Sequence, residues 1–372
     1  MSRQRQHNMD AHILGIGTAV PEFTIEQSDA AEKAALLCCA TVQQQRTIKA
    51  LYRRAGVTTR HSVVLTSSTH GQPANQSFYC HDELKPDGPT TAVRMHAYNT
   101  FAGPLAIQAS RQSLLDARIQ SSEVTHLITV SCSGFSAPGV DLEIIRELGL
   151  RPETTRTNIG FMGCHAALNG LRVAKAFAQS CPGACVLLCA VELCSLHHQY
   201  QWKPDQIVAN ALFADGAAAV VVRANDQDLS HGAWQLVDLG STVIADSADL
   251  MSWKIGDHGF QMSLSPQVPN LIDRTLRIWM TNWLGEHDLT LAEIGSWAIH
   301  PGGPRIVEAC ANTLTGNSDC LTDSLAVLAE YGNMSSPTVL FIIDRLRRRN
   351  AARPCVALAF GPGITIEAAL LR

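Results

Sequence analysis

One stretch constrains this chain more than any other: Asn158–Gly170, reading NIGFMGCHAALNG, with Cys164 at its centre. Upstream, Thr125–Cys132 (THLITVSC) is apolar and β-branched, the pattern of a buried strand. Downstream, Ala166, Leu168, Leu171, Val173, Ala174, Ala176 and Phe177 give the face of a helix packed into an interior. Cys164 therefore stands where extended chain turns into helix. A thiol there meets unpaired backbone N–H groups and the positive end of the macrodipole, which favour thiolate. The stretch alone fits a buried structural cysteine equally well.

A chain of 372 residues exceeds one small core and implies two domains or one large layered unit. It is 46% hydrophobic and 17% charged, with formal net charge −4 and no long basic block. The densest positive run, Arg345–Arg349, lies on an amphipathic helix and reads as a solvated face, so no nucleic-acid partner is expected. No apolar run reaches the roughly 20 residues that span a bilayer. The first residues (MSRQRQHNMD) lack an apolar secretory core and read as a disordered arm over residues 1–10. The 12 cysteines lie mostly inside apolar runs, which fits reduced thiols in the cytoplasm. Cys181, Cys185, Cys189 and Cys194 lack paired C-x-x-C knuckles, so no metal site is expected.

Apolar strand patterns alternate with helical ones along the chain, which predicts a mixed α/β architecture. Ala11–Val20, Cys185–Glu192, Ala219–Val222, Trp234–Ala245, Ser296–His300, Cys355–Phe360 and Ile364–Leu370 read as strands. Gln27–Leu51 reads as helix, and Thr91–Ala117 as a helical region interrupted at Gly103–Pro104. Residues 66–89 read as a surface excursion and Asn225–Ser230 as a linker, dividing a half of 11–224 from a half of 231–372. Each half places a reactive-type residue at a strand end or turn, Cys164 in the first and His300 and Asn333 in the second. That hints at a duplicated unit with the site between halves.

His300 ends an apolar strand before Pro301-Gly302-Gly303, where ligand crevices of α/β sheets lie. Asn333 sits in a Gly-flanked turn before a helix. Cys, His and Asn form a nucleophile set: His takes the thiol proton, and His and Asn donate hydrogen bonds to a developing oxyanion. Singly, His300 also fits a satisfied core histidine and Asn333 a turn residue.

At these residues the sequence resembles the type III polyketide synthases, the chalcone- and stilbene-synthase-like enzymes of the thiolase fold. The carrying segments are ILGIGTAVP (13–21), THLITVSCSG…PG…LGLRP (125–152), NIGFMGCHAALNGLRVAK (158–175), NALFADGAAA (210–219), SWAIHPGGPRI (296–306), YGNMSSPTV (331–339) and FGPG (360–363). The resemblance implies two related halves in an α-β-α-β-α layering and a homodimer. It implies an acyltransferase that holds an acyl starter, delivered as a CoA thioester, on Cys164. His300 and Asn333 would hold malonyl-CoA for decarboxylative condensation to a pyrone or aromatic product. No metal or prosthetic group is implied beyond the CoA thioesters.

By the same resemblance Phe213 is a gatekeeper between CoA tunnel and cavity, and Met262 stands where plant enzymes carry a second gatekeeper phenylalanine. Cys132 replaces a cavity threonine, and Ala137 a methionine that reaches the partner's cavity. Glu192, Cys194, His197 and Ser335 fall at cavity positions, and Ala359 replaces a glycine of the terminal loop. These departures point to a bacterial-type enzyme. Arg53, Arg54 and Arg60 lie near the family's contacts to CoA phosphates, and equally fit a solvated surface. The nearest rival is a ketoacyl synthase III-type enzyme using an acyl carrier protein, against which FGPG and GNMSS argue. A papain-like cysteine hydrolase shares the Cys…His…Asn order but not the surroundings of the thiol.

Overall fold

The computed structural model describes residues 9–67, 74–81, 86–224 and 232–372. The expected linker 225–230 and most of the expected N-terminal arm lie outside these residues. Met9 is tied down, its carbonyl accepting a hydrogen bond from Gln179.

Two blocks of strands build the core. The first runs Thr155–Gly160, His126–Ser131, Cys185–Leu193, Asp215–Ala224, Ala11–Ala19; the second runs Ser296–Ile299, Cys355–Gly361, Thr365–Leu371, Trp234–Val243. Ala11–Ala19 and Trp234–Val243 join the blocks through the antiparallel pairs His12–Gln235 and Ile13–Trp234. Directions repeat as well as order. Cys185–Leu193 is parallel to His126–Ser131 and antiparallel to Asp215–Ala224, as Cys355–Gly361 is parallel to Ser296–Ile299 and antiparallel to Thr365–Leu371. The duplication hinted at by the placement of Cys164 and His300 is thus present in the topology. Thr155–Gly160 is the extra strand of the first block; its polar, half-exposed edge pattern hid it in the sequence.

Alternate strand residues face alternate layers. Ile128, Val186 and Ala357 face a central layer, where the helices Ala166–Ser180 and Pro337–Arg348 lie between the two blocks. Leu127, Leu187 and Val221 face the outer helices Thr91–Ala117 and Val140–Leu148. Trp297, Val356 and Leu358 face the other outer pair, Val268–Gly285 and Pro304–Leu314. The α-β-α-β-α layering follows. Strands covered on both faces need continuous apolar runs, which is why CVLLCAV carries no polar alternation.

Two local expectations are corrected. Gln27–Leu51 is not one helix: Gln27–Cys38 and Val42–Arg54 are separated at Thr41, whose side chain accepts from Gln44 N–H in a capping box. Thr91–Ala117 is continuous through Pro104. Its burial against Ala11–Ala19 and Asp215–Ala224 outweighs the one backbone hydrogen bond a proline removes.

Candidate active site

Cys164 lies in a tight turn, Gly163–His165, that opens directly into the central helix Ala166–Ser180. Gly163 has φ +76°, and a Cβ there would overlap Pro362, so only glycine lets the FGPG loop pack against the turn. Cys132 holds the turn from the other side: its Sγ accepts from Gly163 N–H at 3.1 Å.

The second block delivers the Asn and Ser. Gly332, at φ +75°, aims the chain into GNMSS, and Asn333 N–H donates to Leu212 O at 2.9 Å while Ala214 N–H donates back to Asn333 O. Phe213 and Asn333 are therefore side by side. Asn333 Oδ1 accepts from Ser335 N–H at 2.8 Å. That fixes the amide and leaves its NH₂ end to favour the Cys164 thiolate. Ser335, a non-glycine residue at φ +56°, places its hydroxyl 3.6 Å from Cys164 Sγ.

His300 follows Ser296–Ile299 and is anchored by its N–H to Leu358 O at 2.8 Å. The residue is 1% exposed, and among the described residues neither ring nitrogen has a hydrogen-bond partner. Burial first, and the charge of His165 second, hold the imidazole down to about 3, so it is neutral at working pH. The strand before His300 pairs with Cys355–Gly361, whose end packs against the turn that holds Cys164.

The thiol does not behave as its helix position suggests. Burial pushes Cys164 up to about 11, and the negative charge of Glu192 adds to this, while hydrogen bonds from Ser335 and Asn333 oppose it. A helix N-terminus contributes about 0.3–1 kcal/mol, whereas taking a charge out of water costs several. Desolvation is the larger contribution and favours the thiol over the thiolate.

Glu192 is a framework residue as well as a wall. It is fully buried and accepts from Cys132 N–H, Ser133 N–H, Ser133 Oγ (2.6 Å) and Ser336 Oγ (2.8 Å). Burial raises its carboxyl, and these donors pull it back. Cys194 is buried and faces the cavity. His197 donates through Nε2 to Ser133 O at 2.6 Å and accepts Phe260 N–H at Nδ1, so both nitrogens are committed; its ring stacks on Phe260 at 4.2 Å.

Met262 lies on the hairpin Met251–Gly256/Gly259–Leu264, directly opposite Trp253. Sequence reading missed Trp253. Its indole donates to Cys132 O at 2.8 Å and meets Phe213 edge-on at 5.9 Å. The alternation of Met251, Trp253 and Ile255 before Gly256-Asp257-His258-Gly259 was the available signal.

The three arginines separate. Arg60 is 6% exposed, and its guanidinium donates to Asn210 O, Phe213 O and Gln27 Oε1. It holds the segment around Phe213, which corrects the expectation of a solvated surface position. Arg53 and Arg54 are exposed on the last turn of Val42–Arg54.

The family models for chalcone and stilbene synthases match the chain twice, the N-terminal domain over residues 1–226 and the C-terminal domain over 235–372. The alpha-pyrone synthesis polyketide synthase-like protein of Mycobacterium tuberculosis is 32% identical over 366 residues, covering 97% of this chain and 90% of that protein. The 1,3,6,8-tetrahydroxynaphthalene synthase of Streptomyces peucetius subsp. caesius is 30% identical, covering 97% and 92%. The crystal structure of PKS-I from the brown alga Ectocarpus siliculosus superposes with a TM-score of 0.92 at 30% identity, covering 99% of this chain and 100% of that one. The chain belongs to the chalcone and stilbene synthase family and is a type III polyketide synthase, an acyltransferase-class condensing enzyme.

Proposed function

We propose that Cys164 carries the acyl chain and that His300 and Asn333 hold the malonyl thioester. The carrying observation is the pinned Asn333 amide near the thiol, with a buried His300 imidazole, unpartnered among the described residues, at the end of the strand paired with the one whose end packs on the Cys164 turn. Cys164 passes its proton to His300 as Sγ attacks the thioester carbonyl of an acyl-CoA. The C–S bond to CoA breaks, and the CoA thiolate takes up that proton on leaving. Malonyl-CoA then loses carbon dioxide. The electron pair moves into an enolate whose oxygen receives hydrogen bonds from the imidazole N–H and the Asn333 NH₂. A neutral imidazole serves as donor here, because it keeps its N–H without giving up a full proton. The enolate carbon attacks the acyl carbonyl on Cys164, the Cys164 thiolate departs, and a chain two carbons longer remains on CoA. Repeated transfer and ring closure give a pyrone or aromatic product.

This scheme needs CoA thioesters and no metal or prosthetic group. Arg53 and Arg54, exposed and uncommitted to the interior, are suited to CoA phosphates. Phe135, Phe161 and Met162 are exposed beside the Cys164 turn, an apolar patch fit for a second copy of the chain, and light scattering tests that homodimer. The enzyme is proposed to act in the cytoplasm. No helix among the described residues is long and apolar enough to cross a membrane.

The test is intact-protein mass spectrometry with product analysis, after incubation with malonyl-CoA and a panel of acyl-CoA starters. An acyl adduct on Cys164 with pyrone or aromatic products is expected. Turnover only with acyl carrier protein substrates overturns the reading in favour of a ketoacyl synthase III-type reaction.

A further inference from the structure

His165 directly follows Cys164 and is buried, yet it has no part in the scheme built on Cys164, His300 and Asn333. One edge of its ring lies on the strand end Gly361. A Cβ there would sit 2.1 Å from Cδ2 and 2.4 Å from Nε2, so only glycine admits the ring. The other edge is held by Asn169, one helical turn on, with Nδ1 2.7 Å from Oδ1. The amide cannot turn over, because its Nδ2 donates to Glu367 Oε1 at 3.1 Å. Oδ1 therefore accepts, and Nδ1 carries the proton. Glu367 is buried and also accepts from Ser241 Oγ and from Arg172, each at 2.6 Å. Imidazole, amide and carboxylate thus run in order from the nucleophile turn to Thr365–Leu371 of the other half. A carboxylate directly on Nδ1 would favour imidazolium, whereas an amide carries no charge. Burial lowers the His165 imidazole and Arg172 adds to this, while the Asn169 hydrogen bond and the Glu367 charge oppose it. His300 is a further titratable group on which this ring acts.

We propose that Asn169 is a positioning residue for the thiol chemistry: it separates His165 from Glu367, so that the imidazole next in sequence to Cys164 stays uncharged. The proposal rests on the assignment of Cys164 as the nucleophile. An imidazolium at this position would favour the thiolate but weaken it, since the nucleophilicity of a thiolate falls with the pKa of its thiol. A neutral ring leaves the Cys164 proton to His300 alone and keeps the thiolate, once formed, fully reactive. Arg172 completes the arrangement by balancing the Glu367 charge from the side away from the imidazole.

The test moves the carboxylate one place along this row of groups. Asn169→Asp combined with Glu367→Gln keeps the net charge and sets the carboxylate on Nδ1. Iodoacetamide alkylation of Cys164 is followed by peptide mass spectrometry from pH 6 to 9 in wild type, in this double variant and in His165→Phe. In the double variant, a thiol lowered by about one pH unit has a roughly tenfold larger thiolate fraction and a roughly threefold lower intrinsic reactivity, so alkylation should be about threefold faster at pH 6.5. The gain should fade towards pH 9 as the imidazolium discharges. His165→Phe should keep the wild-type profile, because a neutral ring contributes no charge, and it decides alone if the double variant fails to fold. A folded double variant with the wild-type profile overturns the proposal. A change equal at every pH overturns it as well, since that is what a structural disturbance would give. So does a His165→Phe enzyme slowed selectively below pH 7, which would mean that the native ring is charged. Wild-type enzyme that still forms product at the normal rate once Cys164 is alkylated overturns the nucleophile assignment instead.

Discussion

Glu192 and His300 are both buried polar side chains, one from each half of the fold, and their surroundings differ in kind. Glu192 meets five donors on Ser131, Cys132, Ser133 and Ser336, which tie the end of one strand to the Asn333 turn. His300 keeps only a backbone anchor, and its two ring nitrogens face no partner. Buried polar groups are normally paired, so an unpaired one needs a reason. A satisfied group holds a shape; an unsatisfied group is ready for a reacting atom. Stability and catalysis should therefore separate between these two residues.

The largest effect belongs to Cys164. Cys164→Ala should abolish acyl loading and product formation, read by intact mass and product chromatography; products at the normal rate would remove the thiol from the chemistry. Next, His300→Ala and Asn333→Ala should each slow malonyl-CoA decarboxylation by about 10²–10³-fold. Carbon dioxide release measures this, and an unchanged rate would strip both residues of the oxyanion role. In the opposite sense, Glu192→Ala takes the acceptor from all of these donors and should cost about 3–5 kcal/mol in urea unfolding. His300→Ala breaks no side-chain hydrogen bond and should cost about 1–2 kcal/mol. Equal losses would erase the distinction.

Acid sharpens the contrast. His300, like His197 and His198, is held down to about 3 by burial, against about 6.5 unfolded. A depressed histidine favours the folded state fully above the unfolded value, and that contribution is lost as pH falls from about 6.5 towards 3. Asp215, raised to about 6 by burial, acts the other way: its contribution is present below about 4 and lost as pH rises through about 6. Comparing wild type with His300→Ala cancels the other groups. The stability difference should shrink on acidification by up to about 1.4 kcal/mol per pH unit. A difference independent of pH would mean that folding does not keep the ring neutral.

How far the sequence carried this reading depended on whether function was local. The places of Cys164 before a helix, His300 after a strand and Asn333 in a turn were legible because each carries a signature within its own segment. The doubled topology was only hinted at, since a repeat of strand order leaves no residue-level trace once side chains diverge. The edge strand Thr155–Gly160 was hidden because an edge tolerates polar residues. Arg60 misled: a basic side chain near a basic cluster reads as surface, and nothing local shows that three carbonyl oxygens take up its guanidinium. Trp253 and the Glu192 network depend on contacts between segments far apart in the chain, such as Trp253 with Cys132 and Glu192 with Ser336.

The smallest effect tests the balance at the thiol itself. The helix N-terminus pulls Cys164 towards thiolate, and burial with the Glu192 charge pushes it back, up to about 11. Ser335 is one of the two side chains whose hydrogen bonds favour the anion, so Ser335→Ala should raise the thiol further and slow iodoacetamide alkylation a few-fold at pH 8. Glu192→Gln removes the opposing charge and should move the alkylation profile the other way. Both shifts are modest, because each acts on one contribution while desolvation stays in place. The wild-type profile decides the larger matter. An inflection near or below pH 8 without substrate would mean that Cys164 and His300 already exchange a proton to form an ion pair, and that two oppositely charged side chains together outweigh a burial that neither overcomes alone. A profile still rising above pH 10 would place proton transfer inside the acylation step, when the bound thioester gives the departing charge somewhere to go.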